Sequence, residues 1–227
     1  MKDEKIDRLK KLLPVKITGI APQKKRKDRF SLFHNDTFLI GISGGTLLSQ
    51  NIQKETVLTS QLLNQILDDE EYQSVKDACY RYLSRRDHAA MELRQKITQK
   101  GLRASVADLI IEEFEQKGLI DDYRFAKKFA ADKMELKKWG PLKIKNALLR
   151  KGVKKSISEK VTQNIIENLE QDGICVDLLR KRKAHFLRET DPMKRRQKMY
   201  RYLAGKGFYN REINDAINRV KSEFDVK

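Results

Sequence analysis

A lysine–glycine pair recurs three times in this chain, as Lys100-Gly101, Lys151-Gly152 and Lys206-Gly207, with the glycines 51 and 55 residues apart. The residues around the three pairs align. Eight before each glycine stand Leu93, Ile144 and Met199, and four before stand Ile97, Leu148 and Leu203. One after stand Leu102, Val153 and Phe208; nine after stand Ile110, Val161 and Ala216; thirteen after stand Phe114, Ile165 and Val220. Apolar residues four apart lie on one face of a helix. Glycine just past that helix suits a left-handed C-terminal cap, and a lysine before it suits the negative end of the helix dipole. Ser105, Ser156 and Asn210 are placed to cap the helix that follows. A repeat of this length that ends and restarts helices in one pattern points to stacked helical units.

Each unit also has a helix before its Lys-Gly pair. These are Ser74 to Leu83, Asp122 to about Lys138, and Val176 to about Leu187. Each unit is then three short helices. Gly118-Leu119-Ile120-Asp121 joins the first unit to the second, and Asp172-Gly173-Ile174 the second to the third. Both are too short to be flexible tethers. Upstream the pattern changes. Val15–Ile20 is rich in β-branched residues, Phe30–Phe33 runs into the turn chemistry of His34-Asn35-Asp36, and Thr37–Ile42 is a third strand candidate closed by a turn at Ser43-Gly44-Gly45. That reads as a three-stranded antiparallel sheet over about residues 15–43. It is too small to stand alone and should pack on a neighbouring helix. Thr59-Ser60 can cap such a helix, with Leu62, Leu63, Ile66 and Leu67 as its stripe, and strand signals end after about residue 46.

The fold class expected is mainly α. Three tandem three-helix repeats form an elongated, curved array, with a small N-terminal antiparallel β element. The boundaries expected are 1–58 for the β element, 59–118 for the first repeat with its leading helix, 119–172 for the second and 173–227 for the third.

Chemistry is scarce along the chain. His34, His88 and His185 are scattered with no metal-ligand spacing, and Cys79 and Cys175 have no metal or redox spacing. No phosphate-cradling or dinucleotide fingerprint occurs. Asp121-Asp122 could suggest a metal-dependent nuclease, but it falls where a helix begins, and an acidic cap accounts for it. No cofactor and no enzymatic activity are expected. Reduced cysteines, the lack of a secretion-type apolar run and the lack of a long apolar segment point to a cytoplasmic protein with no membrane partner.

Charge is the informative property. Lys plus Arg number 49 against 32 Asp plus Glu, a net +17, and charged residues make up 36% of the chain. The excess is clustered on the middle helix of each unit and its approach, with Tyr80, Tyr82, Trp139, Tyr200 and Tyr202 interleaved. A positive field of this size concentrates polyanions. If the repeats stack, the patches fall in register as a phosphate-tracking surface would. The aromatics could stack on bases, anchor a protein partner, or sit in the core.

Three stretches taken together resemble the RecX regulatory proteins. They are Arg85-Arg86-Asp87-His88-Ala89-Ala90-Met91-Glu92-Leu93-Arg94 through Lys100-Gly101, Gly118-Leu119-Ile120-Asp121-Asp122-Tyr123-Arg124-Phe125-Ala126, and Trp139-Gly140-Pro141-Leu142-Lys143-Ile144 through Lys151-Gly152. The resemblance covers about residues 75–220. The third unit departs from it most, at Asp191-Pro192. It implies a regulator that binds the RecA recombinase filament on single-stranded DNA; a monomer without cofactor is expected. It also implies modulation, in the inhibitory direction, of the filament's ATPase, strand exchange and growth in recombinational DNA repair and the SOS response. Direct contact with single-stranded or double-stranded DNA belongs to the same expectation. The alternative is a non-specific DNA-binding repeat protein with no recombinase role. The contact residues expected are Arg85, Arg86, Arg94 and Lys96 in the first unit. In the second they are Lys133, Lys137, Lys143, Lys145 and Arg150, and in the third Arg195, Arg196, Lys198 and Arg201.

Overall fold

A computed structural model describes residues 2–224, so the last three residues of the expected third repeat lie outside the described ones. Among the described residues the order is α1 (Lys2–Lys10), β1 (Val15–Lys16), β2 (Gly19–Pro22), β3 (Arg29–His34), β4 (Thr37–Ser43), α2 (Gly44–Ser49) and β5 (Val57–Leu58). Then come α3 (Ser60–Leu83), α4 (Ala90–Thr98), α5 (Ala104–Gln116), α6 (Asp122–Lys137), α7 (Pro141–Arg150) and α8 (Lys155–Asp172). The last four are α9 (Ile174–Lys181), α10 (Lys183–Leu187), α11 (Pro192–Lys206) and α12 (Asn210–Phe224). The chain forms two compact units. One holds the residues up to Arg85 with Arg94–Glu113; the other holds Arg86–Leu93 and the chain from Phe114 onward.

In the first unit, β2, β3 and β4 form an antiparallel meander. The expected single strand Val15–Ile20 is instead two pieces. Val15–Lys16 leaves the meander to pair with Val57–Leu58, a strand beyond residue 46 too short to show any alternation. Ser43-Gly44-Gly45 is not a turn but a helix start, where the Ser43 hydroxyl accepts the Thr46 N–H at 3.0 Å. Thr59 caps α3 as expected. The expected leading stripe and the first helix of the first repeat fuse into that one 24-residue helix. Leu32 and Ile42 of the sheet and Leu63 and Ile66 of α3 share one core, which is how so small a sheet is covered. The acidic run at residues 68–71 is helical and fully engaged. Glu70 takes the Ser43 N–H at 2.5 Å, the Thr46 hydroxyl at 2.8 Å and the Arg29 guanidinium at 2.7 Å. Burial would raise its pKa, but these donors hold it below the usual value. Asp69 accepts from Ser49 and Gln50, and Arg103 reaches both Asp68 and Glu71.

The repeat pattern is realised closely. All fifteen aligned apolar positions are buried except Leu102 and Ile165, which are half-buried. The Lys-Gly glycines adopt φ of +77°, +80° and +92°. Capping differs from expectation at the helices that follow. Ser105 and Ser156 lie inside α5 and α8, and the N-cap of α8 is Lys154, with no side-chain cap bond. The expected helix from Val176 to Leu187 is broken at Arg182 into α9 and α10.

In the second unit the Lys-Gly pair does more than end a helix. The C-terminal end of α11 meets the N-terminus of α7: Gly140 N–H donates to Lys206 O at 2.8 Å and Leu142 N–H to Gly207 O at 3.0 Å. Helix-end carbonyls thus satisfy helix-start N–H groups, negative end to positive end. A Cβ on Gly207 would lie 2.3 Å from Lys143 Cβ, and one on Gly152 would lie 2.2 Å from Met91 Cβ at the start of α4. Gly101 has nothing within 4 Å of that position. Gly207 is therefore a joint on which the start of α7 sits, and Gly152 is one on which Met91 sits. At α11 the start of the middle helix is closed by its own residues. The Asp191 carboxylate accepts from Met193 N–H and Lys194 N–H, and Pro192 occupies the first turn.

Candidate nucleic-acid and filament interface

The acidic pair is structural. Asp121 caps α6, accepting the Tyr123 and Arg124 N–H groups at 2.8 and 2.9 Å. Asp122 accepts the Ala90 N–H at 2.9 Å, tying the start of α4 to the start of α6, and burial raises its pKa against that bond. Among the described residues no group of three His, Cys, Asp or Glu side chains could hold a metal ion.

The basic candidates divide into those engaged within the fold and those displayed. Arg94 is engaged, bidentate to Asp108 at 2.6 and 3.1 Å. Arg86 donates to Glu92 at 2.8 and 3.1 Å and to Asp87 O. Lys145 pairs with Glu159 at 2.8 Å and Lys198 with Glu189 at 2.6 Å, both at partly exposed positions where such pairs add little stability. Arg196 donates to the side-chain oxygens of Asn214 and Asn218. Lys96 lies over the Tyr82 ring, 5.1 Å from its centroid.

Arg195 departs from the expectation. It is 8% exposed, and its guanidinium donates to the backbone carbonyls of Glu189, Thr190 and Phe224. It is held inside the third repeat, out of a partner's reach. Only its neighbours could have signalled this, because a basic run reads as surface whichever member turns inward. Arg195→Ala should cost about 2–4 kcal/mol, because a buried guanidinium and its three carbonyl hydrogen bonds are lost. Arg201→Ala, on an exposed side chain, should stay within about 0.5 kcal/mol. Urea denaturation of the two variants checks the contrast.

Arg85, Lys137, Arg150 and Arg201 are exposed. Lys133 and Lys143 are half-buried against Trp139, with their ammonium groups 5.7 and 5.0 Å from its ring centroid. Lys133 also lies 5.1 Å from the Phe129 centroid, and Phe129 stacks on Phe125. The face of α6 that carries Phe125, Phe129 and Lys133 borders a 290 Å³ depression lined also by Arg86, Lys128, Lys151, Asp87 and Asp132. Lys151, which lines this depression, and Lys206 and Arg182, which lie near Lys137 and Lys143, were not among the expected contacts. The sequence places all three in the basic runs, and the two lysines also at helix ends, without marking them as contacts. Lys151 reaches Glu92 at 2.9 Å and Lys206 reaches the Lys137 carbonyl at 3.1 Å.

The shape and the sequence match known proteins along their length. Residues 15–59 match the regulatory protein RecX N-terminal domain, and residues 76–114, 121–161 and 170–217 match the first, second and third RecX three-helix domains. The regulatory protein RecX of Clostridium beijerinckii is 30% identical over 213 residues, covering 93% of this chain and 98% of that protein. That of Clostridium perfringens strain SM101 is 28% identical over 207 residues, covering 90% and 96%. A crystal structure of regulatory protein RecX superposes with a TM-score of 0.73 at 20% identity, covering 91% of this chain and 98% of that one. The crystal structure of RecX from Lactobacillus salivarius gives 0.61 at 21% identity, covering 68% and 99%. With an N-terminal β element and three three-helix repeats matched in order, this chain belongs to the RecX family of regulatory proteins.

Proposed function

We propose that this chain binds the RecA recombinase filament on single-stranded DNA and inhibits its ATPase, strand exchange and growth. In that role it acts in the cytoplasm during recombinational repair and the SOS response. The observation that carries the reading is the display of cations by repeats whose engaged residues serve only the fold. Arg85, Lys137, Arg150 and Arg201 are exposed without a carboxylate within salt-bridge reach among the described residues. Lys133 and Lys143 add charge beside a half-buried tryptophan. Membership of the RecX family supports the choice of partner, and a positive surface suits a filament that exposes phosphates or an acidic groove. The mechanism is electrostatic and steric. Weak contacts from linked repeats add as avidity, and the bound chain obstructs filament extension and subunit rearrangement. Binding by a monomer, without metal or cofactor, suffices. The test is RecA ATPase on single-stranded DNA with and without the protein. Tight binding to naked DNA with no effect on that ATPase would favour the alternative of a non-specific DNA-binding repeat protein.

A further inference from the structure

Lys133, Lys137, Lys143, Arg182 and Lys206 gather where α6, α7 and α11 meet. Two helices end there, α6 at Lys137 and α11 at Lys206. Helix C-termini attract cations, and two of the lysines answer that demand: Lys206 Nζ donates to Lys137 O at 3.1 Å and Lys143 Nζ to Gly205 O at 3.1 Å. The remaining demand is met by backbone, since Lys206 O and Gly207 O already accept the Gly140 and Leu142 N–H groups. Lys133, Lys137 and Arg182 are thus in excess of what the helix ends require. Among the described residues no carboxylate lies within 4.0 Å of any of the five cations. Burial and the charges of Lys143, Arg182 and Lys137 push the Lys206 ammonium below its usual pKa, as repulsion in an unneutralised cluster would.

We propose that this junction of the second and third repeats binds the backbone phosphates of single-stranded DNA. Four of these five cations are lysines, compact point charges that can surround a phosphate from several sides. Lys133 and Lys137 stand one helical turn apart, about 6 Å along α6, a spacing that suits successive phosphates of an extended strand. Trp139, half-buried between Lys133 and Lys143, places an aromatic face beside that track. A bound strand would touch both repeats and stiffen the glycine joint between them. The inference rests on the reading above and assigns to this junction the protein's direct contact with the DNA.

Trp139 is the chain's one tryptophan, so its emission reports from the junction. Full-length protein titrated with a fluorescein-labelled oligothymidylate gives anisotropy, and unlabelled oligothymidylate gives tryptophan quenching. Wild type should show both signals on one binding curve. Lys137→Gln/Lys206→Gln should weaken binding at least tenfold and lower the salt slope by about 1.4, two phosphates at about 0.7 each. Lys137→Arg/Lys206→Arg should keep affinity within threefold, as should Lys24→Gln/Lys25→Gln, an equal loss of charge at exposed positions in the other unit. Equal weakening by the two glutamine pairs, or no tryptophan response on binding, would overturn the proposal. So would unchanged oligothymidylate affinity with lost RecA inhibition in Lys137→Gln/Lys206→Gln, an outcome that moves the junction to a protein contact and leaves the regulator reading standing. Junction-dependent DNA binding by a wild-type protein that leaves RecA ATPase unchanged would support the site and sink the regulator reading.

Discussion

Gly152→Ala should destabilise the protein by about 2–5 kcal/mol, while the same change at Gly101 should cost about 1–2 kcal/mol. Both positions have positive φ, so any Cβ meets the left-handed penalty of about 1–2 kcal/mol. At Gly101 that is the whole cost, because the new methyl meets open space. At Gly152 the methyl would sit 2.2 Å from Met91 Cβ and 2.4 Å from its Cγ. The first turn of α4 would have to move off the end of α7, adding about 1–3 kcal/mol of overpacking. Gly207→Ala should behave like Gly152→Ala, since its neighbours at 2.3–3.0 Å are the Cβ, N and Cα atoms of Lys143. Urea unfolding of the variants measures the contrast. Equal losses at Gly101 and Gly152 would mean that the glycine serves only as a cap.

Glu92→Gln should remove about 1–3 kcal/mol at neutral pH, and the loss should fade in acid. Glu92 lies in the first turn of α4 with its side chain 13% exposed, reached by Arg86 at 2.8 Å and by Lys151 at 2.9 Å. Burial alone would raise its pKa; the hydrogen bonds and charges of Arg86 and Lys151 overcome that and hold it at about 2, below the ordinary 4.5. A depressed carboxylate means that the folded state binds fewer protons than the unfolded one. Its stabilisation is complete above about pH 4.5 and disappears as pH falls towards about 2. Glutamine keeps the shape and cannot titrate. The difference in unfolding free energy between wild type and variant, measured from pH 7 down to pH 3, should shrink across that window. A difference independent of pH would show that the ion pairs contribute nothing there.

The repeats were legible because helix packing writes them into spacing. Leu93, Ile97 and Gly101 recur as Ile144, Leu148 and Gly152 because each middle helix buries the same face and ends the same way. The joint was not legible. Gly101 and Gly152 stand in the same local sequence, and only the contact with Met91, far away along the chain, separates a cap from a seat. The N-terminal strands were half legible. β3 and β4 flank a turn with its own chemistry, but β1 and β5 are two residues each, and their pairing joins positions about forty apart. For the basic surface, composition revealed that charge was in excess and not which cations the fold consumes. Arg195 and Arg196 are adjacent in sequence, yet one is buried on three carbonyls and the other is exposed.

The central claim is that these repeats restrain the RecA filament by binding it. The direct measurement is the steady-state ATPase of RecA filaments assembled on single-stranded DNA, titrated with wild type and with Arg85→Gln/Arg150→Gln/Arg201→Gln. The account predicts a dose-dependent fall in ATPase with wild type that weakens as salt rises, and a several-fold higher half-maximal concentration for the triple variant. An ATPase rate that stays flat with wild type, under salt conditions where the same protein binds single-stranded DNA, would contradict it.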